Sequence, residues 1–166
     1  MSSSPLRSAP AYALIVGYDL NHQRMKWEVS RTVFEGLPLL LRYPLYDCIW
    51  DNQKKFPNLF SVSHVLEYVS ENGLPVKHYN ESLNDFDDEV VNLFGDDEGI
   101  IILIETFAGK RNYWFYISDD DLVNVKVKKL NEKYQDKCIE FEMNKDYEWS
   151  FITRYPVKVS AFIKKE

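Results

Sequence analysis

Thr106-x-x-Gly109-x-Arg111 is the segment of this chain whose residue types best suit it to hold a ligand. A glycine at a turn supplies a positive φ at no steric cost. A guanidinium two residues on can grip a carboxylate or phosphate through paired hydrogen bonds. Arg111 could equally pair with an acid of its own fold, Glu105 or Asp146, as structural arginines commonly do. Tyr113 and Tyr116 follow on the same stretch. A small enzyme or ligand-binding protein would therefore have its pocket near Arg111, Tyr113 and Tyr116.

The other reactive side chains are dispersed. His22, His64 and His78 are too far apart to form a local metal site. His64 lies on the apolar face of a predicted strand and reads as an interior histidine. Asp119-Asp120-Asp121 could bind a metal or serve phosphoryl transfer, but directly after Ser118 they read more simply as caps for a helix N-terminus. Cys48 and Cys138 match no Cys-x-x-Cys spacing and read as two reduced thiols. With six glycines in all, the chain carries no phosphate-cradling loop and no nucleophile elbow. No catalytic residue, cofactor or metal is expected, although a triad assembled only in space stays open.

The formal charge of -6 is unevenly placed. Glu81 to Glu98 hold eight acids and no Lys or Arg, leaving 18 acids against 20 bases elsewhere. Nucleic-acid binding leaves a basic footprint, and this chain has none overall. An acidic face suits a basic protein partner; the plainer alternative is a solvated helix face. The candidate contact residues are Glu81, Asp85, Asp87, Asp88 and Glu89, with Trp50. That tryptophan sits in a polar loop between Asp47 and Lys55 and reads either as an exposed interface anchor or as packed back onto the fold.

Elements to position these residues follow from hydrophobic period and turn chemistry. At 166 residues, 15% of them aromatic, the chain suits one domain with a packed core. Residues 1–25 read as a partly disordered leader, and 26–166 as a single α+β domain. No apolar run approaches the ~20 residues needed to cross a bilayer. Trp27–Phe34 and Leu37–Tyr43 form a first hairpin across Glu35-Gly36. Leu59–Tyr68 alternates as a strand, with a helix as competitor because Val65-Leu66 and Tyr68-Val69 also suit a 3.6 period.

Ser82 and Asp85 form a capping box opening a helix whose inner face is Leu83, Phe86, Val90, Val91 and Phe94. Gly99–Ile117 is a second hairpin turning at Ala108-Gly109. Ser118 with Asp121 opens a helix to about Tyr134, with Leu122, Val125, Leu130 and Tyr134 inward. Cys138–Met143 alternates as a half-buried strand. Trp149–Ile163 supplies one or two extended segments broken at Pro156. From Leu59 the order is β-α-β-β-α-β, a ferredoxin-like core with two helices on one face of an antiparallel sheet. The N-terminal hairpin and a C-terminal strand extend it.

Several motifs occur in succession: Trp27-Glu28, Gly36-Leu-Pro38 with Arg42, Thr106-x-x-Gly109-x-Arg111 running into Tyr113-x-Phe115-Tyr116, and Asp146-x-x-Trp149 before Tyr155-Pro156. In that order the chain resembles the bacterial domain-of-unknown-function family 695. The resemblance implies an α+β domain with a ferredoxin-like core and no established activity. It also marks Thr106, Gly109, Arg111, Tyr116 and Trp149 as a candidate motif site. Such domains look akin to the ribonuclease E inhibitor B family, small acidic proteins that act by binding an enzyme.

The leading expectation is thus a non-catalytic, cytoplasmic protein-binding module that regulates or inhibits a partner, as immunity proteins do. The runner-up is the small enzyme or ligand-binding protein described above. A homodimer through the sheet stays open as a third arrangement.

Overall fold

A computed structural model describes residues 25–164. The leader expected over 1–25 therefore lies almost wholly outside the described residues. Among these residues six strands form one antiparallel sheet: β1 (Lys26–Phe34), β2 (Leu37–Leu45), β3 (Asn58–Val65), β4 (Gly99–Phe107), β5 (Lys110–Ile117) and β6 (Cys138–Lys145). Their order across the sheet is β1-β2-β4-β5-β3-β6. Helices α1 (Lys77–Ser82) and α2 (Asn84–Val91) lie between β3 and β4, and α3 (Asp121–Lys133) lies between β5 and β6. A short α4 (Ser150–Thr153) follows β6.

Both hairpins turn as their sequences imply. Ala108 and Gly109 have φ of 50° and 85°, and Glu35 and Gly36 have 51° and 82°. Two successive positive φ values make a type I′ turn, whose twist matches that of the flanking strands. In β4 the register shifts between Ile101 and Leu103. This bulge sends Ile102 and Leu103 to one face, and Ile101 and Ile104 to the other.

The sheet is covered on both sides. Phe86 and Val90 of α2 and Val123 and Leu130 of α3 pack on Phe60, Val62, Tyr113 and Phe115. On the opposite face Trp50, Phe56, Trp149, Ile152, Val159 and Phe162 pack on Leu39, Leu41, Leu103 and Tyr116. The C-terminal segment is therefore not the expected strand but a helical turn and a 3-10 turn at Ser160–Phe162. Its local cause is Asp146, whose carboxylate accepts the Ser150 and Phe151 N–H groups and starts the turn.

Other expectations need correction. The region before β4 holds two short helices, with Ser82 ending α1 instead of capping α2. Its hydroxyl donates to the Tyr79 carbonyl, and Leu83 at the α2 N-cap makes no side-chain cap. Ser118 likewise bonds the Glu98 carbonyl, and Asp119 accepts the Asp121 N–H at the start of α3. Val125 is 55% exposed, so α3 faces inward through Val123 and Leu130. β3 is a strand, and it ends at Val65, short of Tyr68.

Candidate functional site

β-Alternation and the α2 period bring the motif residues into two polar clusters, one on each side of the sheet. On the helix side, Arg42 on β2, Thr106 on β4 and Arg111 and Tyr113 on β5 all point toward Asp87 on α2. Arg42 Nη2 donates to Asp87 Oδ1 at 2.7 Å, and the Tyr113 hydroxyl donates to the same oxygen at 2.8 Å. Arg111 Nη1 stands 3.9 Å from that oxygen. Its Nε donates to Thr106 Oγ1 at 2.9 Å, and its Nη2 to Asn80 Oδ1 at 2.8 Å. Arg111 thus pairs with neither Glu105 nor Asp146. A charge cluster this deep is costly to disturb: removing one partner of a buried pair loses about 3–5 kcal/mol.

The electrostatics follow from that packing. Burial alone would raise the Asp87 carboxyl, but the charges of Arg42 and Arg111 outweigh it and hold the group below the usual carboxylate range. Burial, and then the Asp87 charge, push the Tyr113 phenol well up. His64, opposite Arg111 in the β3–β5 register, is 1% exposed and leaves Nδ1 buried with no hydrogen-bond partner. Its burial, helped by Lys137 and Arg111, lowers its pKa to about 4, so the ring is neutral at pH 7.

On the other face the Tyr116 ring stacks on Trp149 with centroids 4.2 Å apart and planes at 6°. The Tyr116 hydroxyl donates to Asp146 Oδ2 at 2.6 Å, and the Trp149 indole donates to the Phe56 carbonyl at 2.8 Å. Burial works to raise Asp146, and bonds from Tyr116, Phe151 and Ser150 outweigh it and leave it lowered. Glu105 accepts from Asn112 at 3.0 Å, from Trp114 at 2.9 Å and from the Tyr155 hydroxyl. Trp149 itself sits at φ 56°, an uncommon conformation for an aromatic residue, fixed by these contacts.

The pocket expected near Arg111, Tyr113 and Tyr116 does not form as drawn. Arg111 and Tyr113 face the helices, and Tyr116 faces the C-terminal segment. The expected contact surface is also divided. Trp50 is 9% exposed, packs on Trp149 at 5.5 Å and donates to the Phe162 carbonyl at 3.1 Å. It lies across the sheet from α2. Asp87 is 4% exposed and belongs to the interior cluster. Glu81 and Asp85 are exposed, with Glu81 beside Lys77 at 3.5 Å. Glu89 is half-buried and bonds Lys133 at 2.7 Å and the Tyr134 hydroxyl at 2.9 Å. Asp88 is half-buried, with Oδ1 unpartnered; burial, Asp87 and Asp85 push its carboxyl up to about 6.

Asn80 carries no local signal, Glu105 is expected only as a partner for Arg111, and Tyr155 only as part of a motif; all three join these clusters. Alternation, which puts neighbouring Glu105 and Thr106 on opposite faces of β4, is the signal that could have separated Glu105 from Arg111. Nothing local could pair Tyr155 with Glu105, 50 residues away. Asp119, Asp120 and Asp121 lie exposed with carboxylate oxygens within 4.8 Å of one another; Asp119 accepts the Asp121 N–H, and Asp120 at the N-cap makes no side-chain cap. Cys48 and Cys138 are free thiols. No helix among the described residues is long and apolar enough to cross a membrane.

Comparison with curated proteins and with solved structures finds no match. A family model described as a family of unknown function, DUF695, matches residues 25–155, which contain both polar clusters, and the chain belongs to that family.

Proposed function

We propose that this chain is a non-catalytic protein-binding module that regulates or inhibits a basic partner in the cytoplasm by covering part of its surface. The observation that carries this reading is where the reactive groups sit. Arg42, Asp87, Arg111 and Tyr113 are bonded to one another inside the fold, and on the other face the part-buried pairs Tyr116–Asp146 and Tyr155–Glu105 are likewise committed. Groups committed in this way specify a structure and have little capacity left to bind substrate. Carboxylates at Glu81 and Asp85 stand in solvent on α1 and α2, where opposite charge speeds encounter with a basic surface.

The finer fold assignment belongs to the same reading. The order β4-β5-β3-β6, with helices in the β3–β4 and β5–β6 connections, supports a ferredoxin-like core extended by the β1–β2 hairpin. The likeness to ribonuclease E inhibitor B proteins rests on that fold analogy and suits an inhibitor.

The test is affinity capture from the native host with the wild-type chain and with Glu81→Lys/Asp85→Lys. The reading expects a basic protein retained by the wild type at low salt, lost at 0.5 M salt, and lost with the reversed charges. Retention indifferent to both changes would remove the acidic surface from the mechanism.

A further inference from the structure

Beyond the acidic surface, one groove carries an unmet polar group. It has a volume of about 400 Å³ and lies where the C-terminal end of β3 meets α1 and the turn before β6. That volume is within the range of ordinary ligand sites. His64 forms part of its wall, and the imidazole Nδ1 is buried without a partner. The His64 ring meets Phe86 edge-on at 5.0 Å, which holds it in place. Native interiors rarely leave a buried nitrogen unmatched, so one here marks a place for a partner group.

The surrounding chemistry narrows what that group is. Tyr68 and Tyr79 meet at 5.2 Å and 77°, and Tyr68 is 57% exposed, so an aromatic wall faces solvent. The Tyr79 hydroxyl accepts the Glu67 N–H at 3.0 Å, which fixes that wall to the chain leaving β3. Lys137 is folded under, its ammonium 5.6 Å from the Phe86 ring and 5.7 Å from the Tyr134 ring. Asp136, 3.5 Å from it, and Glu67 hold the rim with exposed carboxylates. The interior thus presents a neutral imidazole beside a cation, which disfavours a cationic guest there. The rim presents negative charge, which disfavours an anionic one.

The geometry points to this groove as the seat for one aromatic side chain bearing an N–H or O–H donor, a tryptophan or tyrosine, flanked by basic residues in the protein partner. This assignment rests on the protein-binding reading and names the anchor that reading lacks now that Trp50 is interior. The guest ring packs against Tyr68 and Tyr79, its donor meets His64, and its basic neighbours meet Glu67 and Asp136.

Binding of small probes to the whole chain tests it, followed by ring-nitrogen NMR of His64 and by the rate at which an aromatic disulfide labels Cys138, which also lines the groove. N-acetyl-tryptophanamide is expected to shift the His64 ring signals saturably and to slow Cys138 labelling. N-acetyl-phenylalaninamide, with no side-chain donor, is expected to bind roughly fivefold more weakly. His64→Phe should bring the two probes to equal affinity. Tyr68→Ser, at an exposed position that leaves the fold intact, should weaken both. A Lys-Trp-Lys peptide blocked at both ends should bind more tightly than the single residue.

Absence of saturable change at His64 and Cys138, or equal binding of the donor-free probe, overturns the assignment. A peptide no tighter than the single residue overturns its protein-partner part. Glu81→Lys/Asp85→Lys should leave probe binding unchanged, so failure of the groove and failure of the acidic surface read out separately.

Discussion

Arg42 Nη2 lies 2.7 Å from Asp87 Oδ1, joining β2 to α2 across 45 residues of sequence with both side chains buried. Through Asp87 the same contact reaches Tyr113 and Arg111 on β5. One carboxylate therefore ties α2 to the strands beneath it. Asp87→Asn and Arg42→Met should each cost about 3–5 kcal/mol, because each leaves a buried charge uncompensated. The double variant Arg42→Met/Asp87→Leu should cost less than the sum by about 2 kcal/mol in urea unfolding. Strict additivity would mean that the two groups do not interact. The Asp87 carboxyl is lowered on folding, so its contribution is complete above the ordinary carboxylate pKa. It is lost as pH falls through the folded-state value.

His64 and Asp88 oppose each other between pH 4 and 6.5. His64 has a folded pKa near 4 against an ordinary 6.5, so the unfolded chain takes up the proton first and stability falls on acidification. Asp88, raised to about 6 from 3.8, is the reverse: the folded chain takes up the proton first, and stability rises on acidification. Asp88→Asn should therefore stabilise at pH 7 by roughly 1 kcal/mol after allowance for solvent screening, and by less at pH 4. His64→Phe should flatten the loss of stability below pH 6.5. Urea midpoints across this range for both variants and the wild type check the signs. A wild-type slope unaltered by either substitution would contradict both.

The sheet was legible because its signals are local. Alternation at Ile139, Phe141 and Met143, and a positive-φ pair at each hairpin, need no distant information. The C-terminal segment was misread because β-prone aromatics there serve a different end. Trp149 and Ile152, three apart, bury together once Asp146 has nucleated a turn. Asp87 was placed on the surface for a related reason. Its neighbours Asp85 and Asp88 make it look like one acid of a solvated run, and its two arginines lie 45 residues before it and 24 after it. Period analysis ranks hydrophobic residues and cannot see a charge buried against charges from other elements.

Asp146 has three hydrogen bonds to its carboxylate, from Tyr116 and from two backbone N–H groups of the C-terminal turn. Asp146→Ala should cost about 2–4 kcal/mol, since bonds to a charged acceptor are the stronger kind. It should also free the segment that covers the Tyr116 face. Limited proteolysis is then expected to cut after β6 in the variant at concentrations that leave the wild type whole. Tyr116→Phe removes one of the three bonds and should cost only about 1–2 kcal/mol. Equal protection of the Asp146→Ala chain would show that the segment is held by its apolar contacts alone.

Gly73 links the groove to the sheet. The Gly109 N–H donates to the Gly73 carbonyl at 2.9 Å, and the Leu66 N–H donates to the Gly109 carbonyl at 2.9 Å. The loop that carries Tyr68 is thereby fastened to the β4–β5 turn. A Cβ on Gly73 would stand 2.8 Å from Ala108 Cα, a backbone atom that cannot swing aside, and Gly73 has φ +86°. Gly36 has nearly the same φ, +82°, and nothing within 4 Å of the added atom. Left-handed strain alone costs about 1–2 kcal/mol, so the comparison isolates the steric part. Gly36→Ala should lose that amount, and Gly73→Ala should lose at least ~2 kcal/mol more, read from urea midpoints at constant slope. The Gly73 variant should also weaken N-acetyl-tryptophanamide binding, because its clash moves the loop bearing Tyr68, whereas Gly36→Ala leaves binding unchanged. Equal losses at the two glycines would mean the loop yields freely and does not fix the aromatic wall of the groove.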